Sequence, residues 1–191
     1  MDTTGTFETA IALQKHKMLT AIHKFYSIEE WQKNIEKLDP SFISVTVGQS
    51  DNDLSLGKKI FELNDDIKYV CIDVANGYRE DFIDSVKNYR ETFPEKIIIA
   101  GNVATREMTE ALILAGADIV KIGIGPGSVC TTRSVAGVGY PQLSSISECS
   151  DAAHGLGGHV MADGGCKYPG DISKAFGLSL IHISEPTRHL D

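Results

Sequence analysis

The chain has 191 residues and a formal net charge of −8, with 42% hydrophobic and 23% charged residues. That length and balance suit one globular domain with a real core and exclude a disordered or low-complexity chain. The acidic surplus argues against a nucleic-acid partner and directs attention to a small molecule, although an acidic protein can still build a local phosphate pocket.

In chain order, short apolar runs alternate with amphipathic stretches. The pattern predicts a helix over 7–15, a strand over 18–23, a helix over 28–38 and a strand over 42–47. A helix over 54–63 and a strand over 69–73 follow, then a helix over 80–93, a strand over 97–101, a helix over 106–115, a strand over 119–123, a helix over 143–154 and a strand over 159–163. The strands are short and apolar, as parallel strands buried on both faces must be. In the helix over 80–93, Phe82, Ile83, Val86, Tyr89, Arg90 and Phe93 form a stripe at helical spacing, which is read as core. Ser27 and Thr105 each precede a helix start carrying acidic residues and are read as N-caps.

Repeated βα units predict an α/β fold, a partial (β/α)8 TIM barrel with about six of eight strands, since a whole barrel needs about 250 residues. A doubly wound sheet is the rival, but it places its glycine fingerprint at the first βα turn. Here polar turns follow several strands: His23-Lys24, 73–77, Gly101-Asn102, 123–133 and 163–166. Polar groups at many strand C-termini are what a barrel active site requires.

No apolar run approaches the roughly 20 residues that cross a bilayer, so no membrane partner is expected. Cys71, Cys130, Cys149 and Cys166 are widely spaced, form no CxxC pair, stand at no zinc-ligand spacing with histidine and follow no secretory leader. They are read as free thiols of a soluble, cytoplasmic protein.

One of them stands out. Residues 123–133, GIGPGSVCTTR, set Cys130 in a glycine-rich loop directly after an apolar run. Glycines let such a backbone adopt positive φ and approach a ligand, and the flanking hydroxyls can donate. From these residues alone, Cys130 is either a nucleophile or a small buried hydrophobe in an ordinary turn.

The whole set of strand-end segments is more specific: MDTTGTF at 1–7, HKFYS at 23–27, CIDVANGY at 71–78, AGNVAT at 100–105, the cysteine loop, GVGYPQL at 137–143 and ADGGCKYPGDISKAFG at 162–177. With these the chain closely resembles the GMP reductase family, which shares a (β/α)8 fold and cysteine chemistry with IMP dehydrogenase. The loop and the DGG turn occur in both. MDTTGTF, HKFYS, IDVANGY and DGGCKYPGD look like the reductase versions.

The resemblance implies NADPH-dependent reductive deamination of GMP to IMP and ammonia, within purine nucleotide interconversion. It makes Cys130 the nucleophile that forms a covalent purine thioimidate and Thr132 the hydroxyl that works with a glutamate in proton transfer. Ser128, Asp163, Gly164 and Gly165 are implied to bind the nucleotide. Lys24, Asp73, Val74, Ala75, Ile124 and Gly125 are implied to bind NADPH. Gly125, Gly127, Cys130 and Arg133 are implied to hold a potassium ion. The complete protein is implied to be a homotetramer.

The resemblance runs from Met1 to about Gly177. Family members begin further upstream and continue with an eighth strand, the glutamate and a second phosphate-binding loop, so residues 1–177 are read as an incomplete catalytic domain. Residues 178–191, beginning LSLIHISEPTR, resemble a translated sequencing adapter and are read as a non-native tail, although Leu178, Leu180, Ile181 and Ile183 could form a strand. The expectation is a chain inactive alone, with IMP dehydrogenase or an inert nucleotide-binding fragment as the alternatives.

Overall fold

Apolar runs become strands where neighbours can bury both faces. The structure, a computed structural model, describes residues 2–178 and 182–184. Its strands are β1 (Thr20–Ile22), β2 (Ile43–Val47), β3 (Tyr69–Asp73), β4 (Ile97–Val103), β5 (Ile119–Ile122), β6 (His159–Asp163) and β7 (His182–Ser184), and their order in the sheet is their order in the chain. A doubly wound sheet reverses its order at a switch point. The monotonic order therefore excludes that rival and leaves the α/β fold of a partial (β/α)8 barrel.

The helices are α1 (Phe7–Leu13), α2 (Ile28–Asn34), α3 (Asp51–Leu63), α4 (Glu80–Thr92), α5 (Arg106–Leu114), α6 (Thr132–Ala136), α7 (Gln142–Gly155) and α8 (Pro169–Gly177). The chain divides into two compact units, one of Met1–Asp73 with Asn88–Ile99, the other of Val74–Lys87 with Ala100–Asp191.

In the first unit β1, β2 and β3 pair in parallel, and all five residues of β2 are buried. Phe7 stacks on Tyr26 at 4.1 Å between ring centroids and meets Trp31 edge-on at 5.2 Å, which ties α1 to α2. The helix start at Ser27 is a reciprocal cap: its Oγ accepts from the Glu30 N–H and the Glu30 carboxylate accepts from the Ser27 N–H at 2.8 Å. Ser27→Ala is expected to lower the unfolding free energy by about 1 kcal/mol in a urea titration.

In the second unit β5 and β6 pair in parallel and α5 packs on α7. Leu112, Val120, Ile122, Val160 and Ala162 are fully buried between these elements, and the Ser145 hydroxyl donates to the Ala104 carbonyl at 2.9 Å.

Several boundaries differ from expectation for local reasons. β1 starts at Thr20 because Lys17 adopts a left-handed φ of 57°, which leaves Met18 half exposed. Phe42 belongs to a 3₁₀ turn, Pro40–Phe42, capped by the Asp39 side chain, so β2 begins one residue later. α3 begins at Asp51 because Ser50 and Asp53 form a second reciprocal cap. β4 runs on to Val103, since Val74 N–H donates to Gly101 O and Asn102 N–H to Val74 O. Thr105 sits at the N-cap of α5 but makes no capping bond; its hydroxyl accepts from the Tyr78 phenol instead.

α6 and α8 were not expected, and β7 falls inside the segment read as a tail, where its backbone pairs in parallel with β6. Leu180 and Ile181 lie outside the described residues. The stripe of α4 is core as expected: Phe82, Val86, Tyr89 and Phe93 are buried, with Ile83 and Arg90 half-buried.

Candidate active site

The loop after β5 is shaped by positions where only glycine fits. Gly123 has φ +146°, its N–H donates to Val103 O at 2.9 Å, and a Cβ there would lie 2.3 Å from the backbone oxygen of Asp163. Gly125 has φ +62° with Val138 O close by. The excursion is pinned at its base, because Tyr140 N–H donates to Ile124 O at 3.0 Å and Arg133 Nη2 to Tyr140 O at 3.1 Å. The Arg133 stem lies against Gly139, where a Cβ would come within 2.6 Å of it. GVGYPQL is thus the return leg of the cysteine loop.

Cys130 is the exposed cysteine, whereas Cys71, Cys149 and Cys166 are buried. This excludes the packing alternative for Cys130. Its N–H donates to Gly127 O at 3.2 Å and its Sγ lies 3.2 Å from Thr132 Oγ1. The Thr132 hydroxyl, then the Thr132 backbone, hold the thiol below the usual cysteine range; Arg133 adds to this and partial burial opposes it. Burial pushes Cys149 the other way. Reactive cysteines are exposed and have a stabilised thiolate, and Cys130 meets both conditions.

Two strand-end motifs meet here. Asp163 ends β6, and Gly164 and Gly165 follow with φ +82° and +85°. A Cβ on Gly165 would come within 2.9 Å of both Pro126 and Gln142, so the DGG turn lies directly on the cysteine loop. Ser128 is exposed in that loop.

Three residues that the sequence reading did not assign complete this end of the unit. Lys121, buried within β5, donates to Asp163 Oδ2 at 2.8 Å, and Asn102 Nδ2 donates to the same oxygen at 3.0 Å and to Gly123 O at 2.9 Å. Gln142 Nε2 donates to Ile122 O at 3.0 Å. Lys121 carried a legible signal: a charge inside the run Ile119–Ile122 must find a partner if that run is buried.

In the first unit, Lys24 Nζ donates to the Asp73 carbonyl at 3.1 Å, which brings together two of the residues assigned to the dinucleotide. His23 Nδ1 accepts from Phe25 N–H and its ring stacks on Tyr26 at 4.0 Å, the arrangement of a hydrogen-bonded strand-end residue. Val74, Ala75, Ile124 and Gly125 belong to the second unit; Val74 is in the β4 ladder and Ala75 is exposed. Among the described residues no cluster of three or more His, Cys, Asp or Glu could hold a metal ion.

A family model, the IMP dehydrogenase / GMP reductase domain, matches residues 1–182. The chain belongs to this family. It is 56% identical over 180 residues to GMP reductase of Caenorhabditis elegans, covering 93% of this chain and 50% of that protein. It is 58% identical over 180 residues to GMP reductase of Escherichia coli O81, covering 93% of this chain and 52% of the relative, and 54% identical over 180 residues to GMP reductase 1 of Mus musculus, with the same coverage. The crystal structure of inosine 5′-monophosphate dehydrogenase from Legionella pneumophila aligns with a TM-score of 0.85 at 33% identity, covering 97% of this chain and 55% of that one. The chain therefore spans about half the length of the curated relatives it matches. No helix among the described residues is long and apolar enough to cross a membrane.

Proposed function

We propose that this chain is part of a GMP reductase, with GMP as substrate and IMP and ammonia as products. The observation that carries the reading is Cys130: exposed, its Sγ 3.2 Å from Thr132 Oγ1, on a loop seated against the DGG turn. In the proposed reaction Cys130 Sγ bonds to C2 of the guanine ring as the C2–N bond breaks, and the amino group leaves as ammonia after taking up a proton. NADPH, when bound, supplies the hydride that reduces C2. The C–S bond then breaks, releasing IMP and restoring the thiolate. Thr132 Oγ1, within hydrogen-bond reach of Sγ, holds or passes the proton there. Asp163 accepts from the ribose hydroxyls, while Ser128 and the N–H groups of Gly164 and Gly165 take the phosphate side.

Each of the two units offers its own groups to NADPH, and the second offers carbonyl oxygens to potassium. In the first, Lys24 spends one of its three N–H donors on Asp73 O, which leaves donors for a phosphate of NADPH. In the second, Val74, Ala75, Ile124 and Gly125 would line the dinucleotide, with Ala75 exposed and Val74 and Ile124 held in place by backbone bonds to Gly101, Asn102 and Tyr140. Potassium would be held by carbonyl oxygens of Gly125, Gly127 and Cys130 with a contribution from Arg133. The donors suit a hard, weakly charged cation, and the Gly127 carbonyl keeps a lone pair beside its bond from Cys130 N–H.

We place the protein in the cytoplasm, as a homotetramer at the full length of its relatives, and assign turnover to that length rather than to the 191-residue chain alone. IMP dehydrogenase shares the loop and turn; the highly similar relatives named GMP reductase favour the reductase. The full-length protein given GMP and NADPH is expected to form IMP. Formation of XMP from IMP and NAD without IMP from GMP would overturn the reading in favour of the dehydrogenase.

A further inference from the structure

Lys121 is a buried ammonium with no place in the chemistry so far. It is 8% exposed, and its neighbours Ile119, Val120 and Ile122 in β5 are all buried. The register pairs Lys121 with Met161, so Asp163, two residues further along β6, lies on the same face. Nζ reaches along that face to Asp163 Oδ2 at 2.8 Å. The amide of Asn102 reaches the same oxygen at 3.0 Å while also holding Gly123 O.

Two donors converging on one oxygen fix a carboxylate more firmly than one donor on each. Swinging the carboxylate away would break both bonds at a site where the lysine is only 8% exposed, which is costly. Oδ2 is thereby occupied, and Oδ1, which takes neither bond, keeps its lone pairs at the C-terminal end of β6, where the side chain is 25% exposed. For stability alone such a pair is a poor device, because apolar residues of similar size do as well or better. A charge pair that leaves one acceptor oxygen outside both bonds, on a side chain that is partly exposed, suits recognition of hydroxyl donors.

We infer that Lys121 is a positioning residue: with Asn102 it locks Asp163 so that Oδ1 is presented to a vicinal diol, the ribose 2′- and 3′-hydroxyls of a purine nucleotide. This rests on the proposed role of Asp163 in nucleotide binding. It assigns to Lys121 no contact with the ligand.

The test measures, on the 191-residue chain, the affinities of GMP and of 2′,3′-dideoxy-GMP, and reads their ratio. Wild type is expected to prefer GMP by about tenfold, as loss of a hydrogen bond to a charged group implies. Asp163→Asn and Lys121→Met are both expected to reduce that preference to within about twofold, whereas Lys121→Arg, which restores a cationic donor, retains most of it. The rate of Cys130 alkylation should stay unchanged in Lys121→Met, since a variant that merely loosened the unit would alter it as well. If Lys121→Met does not fold, Lys121→Gln takes its place, with a donor but no charge, and is expected to lose most of the preference. Full preference in Lys121→Met or Lys121→Gln alongside its loss in Asp163→Asn overturns the inference and spares the role of Asp163. No preference in wild type, or full preference in Asp163→Asn, overturns both.

Discussion

Gly123→Ala is expected to lower the unfolding free energy by about 3 kcal/mol, the upper end for forced overpacking. The added Cβ would stand 2.3 Å from the Asp163 carbonyl oxygen and 3.3 Å from Gln142 Nε2. The first obstacle is backbone and cannot swing aside. Relief requires β5 and β6 to part at the point where the cysteine loop meets the DGG turn, and the φ of +146° disfavours any side chain in addition. Gly137 is the matched control. It also has a positive φ, +67°, but nothing lies within 4 Å of its Cβ direction, so Gly137→Ala should cost only the left-handed backbone penalty of about 1 kcal/mol. Urea titrations of the two variants check the contrast. Equal costs would mean that the approach of Asp163 to Gly123 is unimportant.

The second large effect is chemical. Iodoacetamide added to the native chain should alkylate Cys130 first, because the other three cysteines are buried, and Cys130→Ser should abolish this fast phase. The rate follows the thiolate fraction. Since the folded environment holds the Cys130 thiol below the ordinary range, the pH midpoint of alkylation should fall below the value of about 8.5 for a free cysteine. Thr132→Val removes the largest cause of that lowering. Its midpoint should rise, making the variant slower than wild type at neutral pH and equal to it once both thiols are ionised. Peptide mapping after timed labelling reads both quantities. An unchanged midpoint in Thr132→Val would remove the hydroxyl from the account.

The reach of the sequence was uneven for physical reasons. Strands of the β2 kind are short runs rich in β-branched residues, Ile43, Val45, Thr46 and Val47, bounded by turn residues, which makes them legible as strands. The six expected strands all appear, displaced at most two residues by a left-handed lysine, a proline turn and a ladder that continues through Asn102. Short polar elements were hidden. α6, TRSVA, has no buried residue, and hence no periodicity. α8 starts on Pro169 with Asp171 accepting from the N–H groups of Lys167 and Tyr168, a start signal masked by its place in a recognisable motif. Within the site, Cys130 could be found because glycines and hydroxyls surround it in the chain. The partners of Asp163 could not, because Asn102 and Lys121 reach it from two other strands. Arg133 was assigned to a cation site by resemblance, and its side chain is seen bracing the return leg of the loop through Tyr140 O.

The central claim is that Cys130 is the group presented to a guanine nucleotide. Its most direct measurement is alkylation of Cys130 in the 191-residue chain with increasing GMP, followed on the Cys130 peptide. Binding at the loop and DGG turn predicts saturable protection, with labelling slowed about tenfold when GMP is at roughly ten times its dissociation constant. Guanosine, lacking the phosphate, should protect only at much higher concentration. Labelling of Cys130 at the same rate with and without millimolar GMP would contradict the account.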